Sequence, residues 1–67
     1  MKAACPDILT RFGRTVRTKR IALELTQEEL AEKAELHRTY IADIERGTRN
    51  VSLCNIERLA LSLECSI

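Results

Sequence analysis

The apolar positions of this chain recur every three to four residues in short bursts. That is the spacing of one helix face, not the alternation of a strand. Ile8, Phe12 and Val16 fall four apart, and Arg20 and Leu23 continue the same face, so a first helix is predicted from about Asp7 to Leu23. Pro6-Asp7 suits its start: Pro is tolerated at the first helical position and Asp favours the positive end. Thr26 followed by Glu29 is a capping box that opens a second helix, with Leu30, Ala31 and Ala34 on its buried face. Ala31 is small where a third helix must cross closely, and Leu36 fills the intervening turn. The third helix is predicted from about His37 to Arg46, with Ile41 and Ile44 inward and Arg38, Thr39 and Asp43 outward. Gly47 accepts positive φ and stops it. After Thr48-Arg49-Asn50, Ser52 caps a fourth helix that carries Leu53, Ile56, Leu59, Ala60 and Leu63 inward. The predicted fold class is all-α: one domain over residues 1–67, a bundle of four to five short helices.

Within that bundle, Thr26 to Gly47 is two short helices joined by a tight turn. Such a pair can deliver its second helix into the DNA major groove. Side chains in the first turn of that helix must then reach base edges, and here that turn is His37-Arg38-Thr39-Tyr40. Arg, Thr and Tyr all form hydrogen bonds, and Arg best matches the guanine edge.

Composition narrows the choice. Sixty-seven residues, 45% apolar and 31% charged, with two Gly and one Pro, describe a small helical domain with a marginal core. Phe12 and Tyr40 are its only aromatics, too few for a single-strand stacking platform. The net charge of +1 disfavours a general polyanion binder, but the charge is polarised. Residues 1–25 and 37–50 are net basic, whereas 26–36 set Lys33 against Glu28, Glu29, Glu32 and Glu35. Cys5, Cys54 and Cys65 form no CxxC pair, and the single His37 cannot complete a zinc site with them. Three free thiols in a reducing cytoplasm are expected, with no metal or cofactor. No signal peptide, membrane-crossing run, catalytic triad, paired-carboxylate cleft or phosphate loop is visible. The expectation is a cytoplasmic non-enzyme with no small-molecule ligand.

The segments TQEELAEKA, IERG, RN and SLCNIERLALSL, with apolar Leu36, Ile41 and Ile44 in register, resemble the lambda-repressor and Cro type of helix-turn-helix, also called the xenobiotic-response-element family. The match covers about Phe12 to Cys65. The run HRTYIADIERGTRN is further similar to the controller proteins of bacterial restriction–modification systems, small dimeric regulators that bind operators upstream of their own and the nuclease gene.

The resemblance implies a sequence-specific regulator that binds a double-stranded DNA operator as a homodimer. Base contacts would come from Arg38, Thr39 and Tyr40, and from Asp43 one turn later, which either accepts from a cytosine amino group or orients an Arg. Gln27, first in the second helix, would hold a phosphate. Arg46, Arg49 and Asn50 would lie along the backbone. His37 joins them as a backbone candidate or serves as a cap. Arg20 and Glu45, both charged on inward faces, are paired by the family pattern as a partly buried salt bridge. The sequence departs from that pattern at Glu24 and Glu35, where Gly is common, and at Val51, where Pro often follows Asn. The family's fifth helix, often the dimer interface, is expected to be absent. Leu61, which replaces a polar residue, is then the leading candidate for self-association, with Leu63 and Ile67. An antitoxin-like or adaptor module holding another protein is the alternative function on the same fold.

Overall fold

The computed structural model describes residues 6–64, which form four helices: α1 (Pro6–Ala22), α2 (Gln27–Ala34), α3 (Arg38–Arg46) and α4 (Leu53–Ser62). No strand occurs among them. Side-chain caps start three of the helices. Thr26 Oγ1 accepts from the Glu29 backbone N–H at 3.0 Å while Glu29 Oε1 accepts from the Thr26 N–H at 2.8 Å. This reciprocal capping box satisfies two otherwise orphaned donors. His37 Nδ1 accepts from the Thr39 N–H at 3.1 Å, and Ser52 Oγ from the Asn55 N–H at 3.2 Å.

The first three helices end in one way. Leu25, Leu36 and Thr48 each donate a backbone N–H to a carbonyl five residues back, on Arg20, Ala31 and Asp43. Between each donor and its helix sits a left-handed residue: Glu24 at φ 59°, Glu35 at φ 59° and Gly47 at φ 76°. This closure satisfies terminal carbonyls and drops an apolar residue onto the core; Leu25 and Leu36 pack there. Glycine would adopt the turn without strain. The two glutamates each bear a cost on the order of 1–2 kcal/mol. Glu64 also sits at φ 59°, past α4.

The core holds Val16, Leu30, Ala31, Ala34, Ile41, Ile44, Leu59 and Leu63, drawn from all four helices and the residue after α4. Leu30 and Ile41 are fully buried. Three sequence expectations fail at its edge. Leu53, the first residue of α4, is 82% exposed. Ile8 is 49% exposed at the far end of α1. Leu63 is 6% exposed and belongs to the core, so it offers nothing to a second copy. Leu61, on the opposite side of α4, is 72% exposed.

Gly13 sets how closely α1 meets α3. A Cβ at this position would lie 2.1 Å from the Ile44 carbonyl oxygen and 3.0 Å from that of Glu45. Both obstacles are backbone, so no rotamer change relieves them. No helix among the described residues is long and apolar enough to cross a membrane.

Candidate nucleic-acid interface

A buried polar brace seats α3 behind the surface it presents. Arg20 Nε donates to Glu45 Oε2 at 2.7 Å and its Nη2 to Glu45 Oε1 at 3.1 Å, a two-pronged pair between α1 and α3. The side chains are only 12% and 3% exposed. Burial of such charges is tolerable only when their remaining groups are satisfied. Arg20 Nη1 donates to the Leu25 carbonyl at 2.8 Å, and Glu45 Oε1 also accepts from Gln27 Nε2 at 3.1 Å. No buried side-chain nitrogen or oxygen among the described residues lacks a partner. The ion pair implied by the resemblance is therefore present. It also reaches Gln27, so one carboxylate ties together α1, α3 and the first residue of α2.

The front of α3 is open. Arg38 and Thr39 are exposed, and Arg38 takes part in no ion pair among the described residues. Arg38 and Gln27 line one open depression with Arg20, Thr26 and Glu28. The residue proposed to hold a phosphate and the one proposed to read a base thus stand side by side. His37 is exposed and uses Nδ1 as the cap of α3. In the neutral ring this leaves Nε2–H as its outward donor.

The far end of α3 is a linked cluster. The Asp43 carboxylate receives Arg46 Nη2 on one oxygen and Arg49 Nη2 on the other, the latter at 2.9 Å. Asp43 is thereby engaged by two arginines. The Arg49 guanidinium lies over the Tyr40 ring, 4.8 Å from its centroid, in cation–π geometry. Thr48 Oγ1 donates to the Asp43 carbonyl at 3.1 Å and closes the loop. Tyr40 is half-buried, and its hydroxyl accepts from Asn55 Nδ2 at 2.9 Å. Asn50 is exposed and borders an apolar cleft with Ile8, Leu9, Phe12, Val51 and Ile56.

Sequence reasoning missed two residues here: Gly13, whose signal was a lone glycine inside a helical pattern, and Asn55, which carries none. Ile67, Cys5 and Cys65 lie outside the described residues. No cluster of His, Cys, Asp or Glu among the described residues can hold a metal ion.

Comparison with known proteins fits this geometry. A helix-turn-helix family model matches residues 16–67. The chain belongs to the helix-turn-helix family, in its lambda-repressor and Cro form. Among its relatives are controller proteins of restriction–modification systems. The control protein C.BamHI of Bacillus amyloliquefaciens is 57% identical over 58 residues, covering 85% of this chain and 72% of that protein. The crystal structure of the restriction–modification controller protein C.AhdI from Aeromonas hydrophila superposes with a TM-score of 0.87 at 45% identity, over 90% of this chain and 91% of that one. The controller protein C.Esp1396I, solved as a tetramer with its natural 35-base-pair operator, gives 0.82 at 38% identity, over 87% of this chain and 76% of that one. These relatives are transcriptional controllers rather than enzymes.

Proposed function

We propose that this chain is the controller protein of a bacterial restriction–modification system, a cytoplasmic transcriptional regulator that binds operator DNA as a homodimer with α3 in the major groove. The observation that carries this reading is the first turn of α3, where Arg38 and Thr39 stand exposed above the buried Arg20–Glu45 brace. A rigid seat and outward hydrogen-bonding side chains are what base readout requires. Arg38, Thr39 and Tyr40 face bases. Gln27, His37, Arg46, Arg49 and Asn50 face the backbone, and Asp43 sets the two arginines. The operator complex of C.Esp1396I supports the same partner for this chain.

A single domain of this kind reads one half-site, and helix-turn-helix dimers span half-sites about 10–10.5 bp apart or multiples of that. A two-fold contact is self-complementary, and Leu61, exposed on α4, is the residue we place in it. The test is selection from random duplexes, then titration of the selected site against random DNA at several salt concentrations, with sedimentation of the protein alone. The expected result is a two-fold symmetric site whose binding weakens steeply with salt. Leu61→Glu should shift the protein to monomer and abolish cooperative binding. Failure to enrich any duplex would overturn the reading and favour the protein-holding alternative.

A further inference from the structure

Tyr40, the third residue of α3, is reached by two residues outside its own helix. Asn55 Nδ2, from α4, donates to its hydroxyl oxygen at 2.9 Å. Arg49, from the loop between the helices, covers its ring at 4.8 Å. Asn55 is itself anchored: it is half-buried, and its backbone N–H donates at 3.2 Å to Ser52 Oγ, the cap of α4. The fold thus holds the amide against the phenol.

A phenol has one proton to donate and lone pairs with which to accept. The Asn55 N–H occupies a lone pair of the Tyr40 oxygen. The Tyr40 proton cannot point at the same amide nitrogen, because two donors would then face each other. It is directed elsewhere, toward an acceptor the protein does not supply through Asn55. We propose that Asn55 is a positioning residue for DNA readout: it fixes Tyr40 as an outward hydrogen-bond donor, so that Tyr40 selects an acceptor on the duplex, and it keeps the ring in place beneath Arg49. This rests on the duplex-binding reading above. The acceptor is an oxygen or ring nitrogen, on a phosphate or on a base edge.

Tyr40 is the one tyrosine of a chain without tryptophan, so its spectrum is that of the site. In resonance Raman, the tyrosine Fermi doublet separates a hydroxyl that accepts from one that donates. The protein without DNA, its Tyr40 hydroxyl accepting from Asn55 and donating outward to water, is expected to show the intermediate doublet of a group that does both. Asn55→Asp should show the donating form, because the new carboxylate captures the phenolic proton. On the selected operator, Tyr40→Phe and Asn55→Asp should each bind about ten-fold more weakly. The new carboxylate also repels phosphate, and a double-mutant cycle removes that contribution. In the Tyr40→Phe background, Asn55→Asp should cost only about three-fold or less. A loss confined to the operator places the acceptor on a base, and an equal loss on random duplex places it on a phosphate. A donating doublet in the wild-type protein would overturn the proposal. So would an Asn55→Asp penalty as large with Phe at position 40 as with Tyr. The Raman readout needs no DNA, so a protein that binds no duplex would sink the functional reading while leaving this polarity tested.

Discussion

At the first turn of α3, Arg38 and Thr39 stand in solvent, and Arg38 enters no ion pair among the described residues. At the last turn and just beyond, Arg46 and Arg49 share the Asp43 carboxylate, and Arg49 also lies on Tyr40. The two ends thus offer a DNA surface different things. An unengaged arginine keeps its full hydrogen-bonding capacity and its rotamer freedom, and gives up the second to use the first. On the proposed reading that exchange is favourable only where the base edge matches, so the first turn is the end expected to discriminate. A pre-positioned arginine loses less on binding, and its charge is partly offset by Asp43. The far end therefore suits backbone contact, which fixes register without reading sequence.

The strongest way to break this contrast is to remove the brace that seats both ends. Glu45→Ala leaves Arg20 buried and unpaired and strips Gln27 of its acceptor. It should destabilise the fold by about 3 kcal/mol more than Glu32→Ala, an exposed control on α2, in urea or thermal unfolding. Equal stability of the two variants would show that the pair is dispensable.

The second test sets one end against the other. Arg38→Ala should cost ~1–3 kcal/mol on the selected operator and relax preference at one base position, with little change on random duplex. Arg49→Gln should weaken both DNAs alike and lower the salt slope by about one unit, as loss of a single phosphate neutralisation requires. If the two variants gave the same profile, the distinction between the ends would fall.

The smallest effect comes from a site remote from both. Glu24 holds a left-handed backbone at φ 59° after α1. Glu24→Gly should relieve that strain and raise stability by roughly 0.5–1 kcal/mol, the glycine's own entropic cost offsetting part of the gain. Operator affinity should not move. A change in affinity would mean that the α1–α2 turn feeds into the interface.

Much of the fold is legible in the sequence because its signals are local. The Thr26–Glu29 box, Ser52 and Gly47 each mark a boundary within one turn of the residue that makes it, and the observed helices begin and end within a residue of those marks. The αL glutamates were visible as departures from a pattern that prefers Gly. What stayed hidden depends on distance in the chain. Asn55 meets Tyr40 across 15 residues, and Gly13 meets α3 across about 30. No periodicity within a helix reports on either. Leu63 carried two assignments, inward by its spacing from Leu59 and beside Leu61 in self-association, and its burial bears out the first and rules out the second. Residues 61 and 63 both lie in an apolar run, and the four-residue spacing from Leu59 puts Leu63 under while Leu61 stays out. The Arg20–Glu45 pair was legible only through family resemblance, since charge on an inward face does not name its partner.

The exposure of Arg38 and Thr39 has an evolutionary consequence. Neither packs in the core, so exchanging them is expected to leave the fold's stability nearly unchanged, as surface substitutions usually do. If these positions read bases as proposed, altering them would give a new operator preference while Gly13, Arg20 and Glu45 keep the packing of α1 against α3. Divergence of this kind separates the rate at which recognition changes from the rate at which the scaffold changes. It would let neighbouring systems in one cell acquire controllers that ignore each other's DNA.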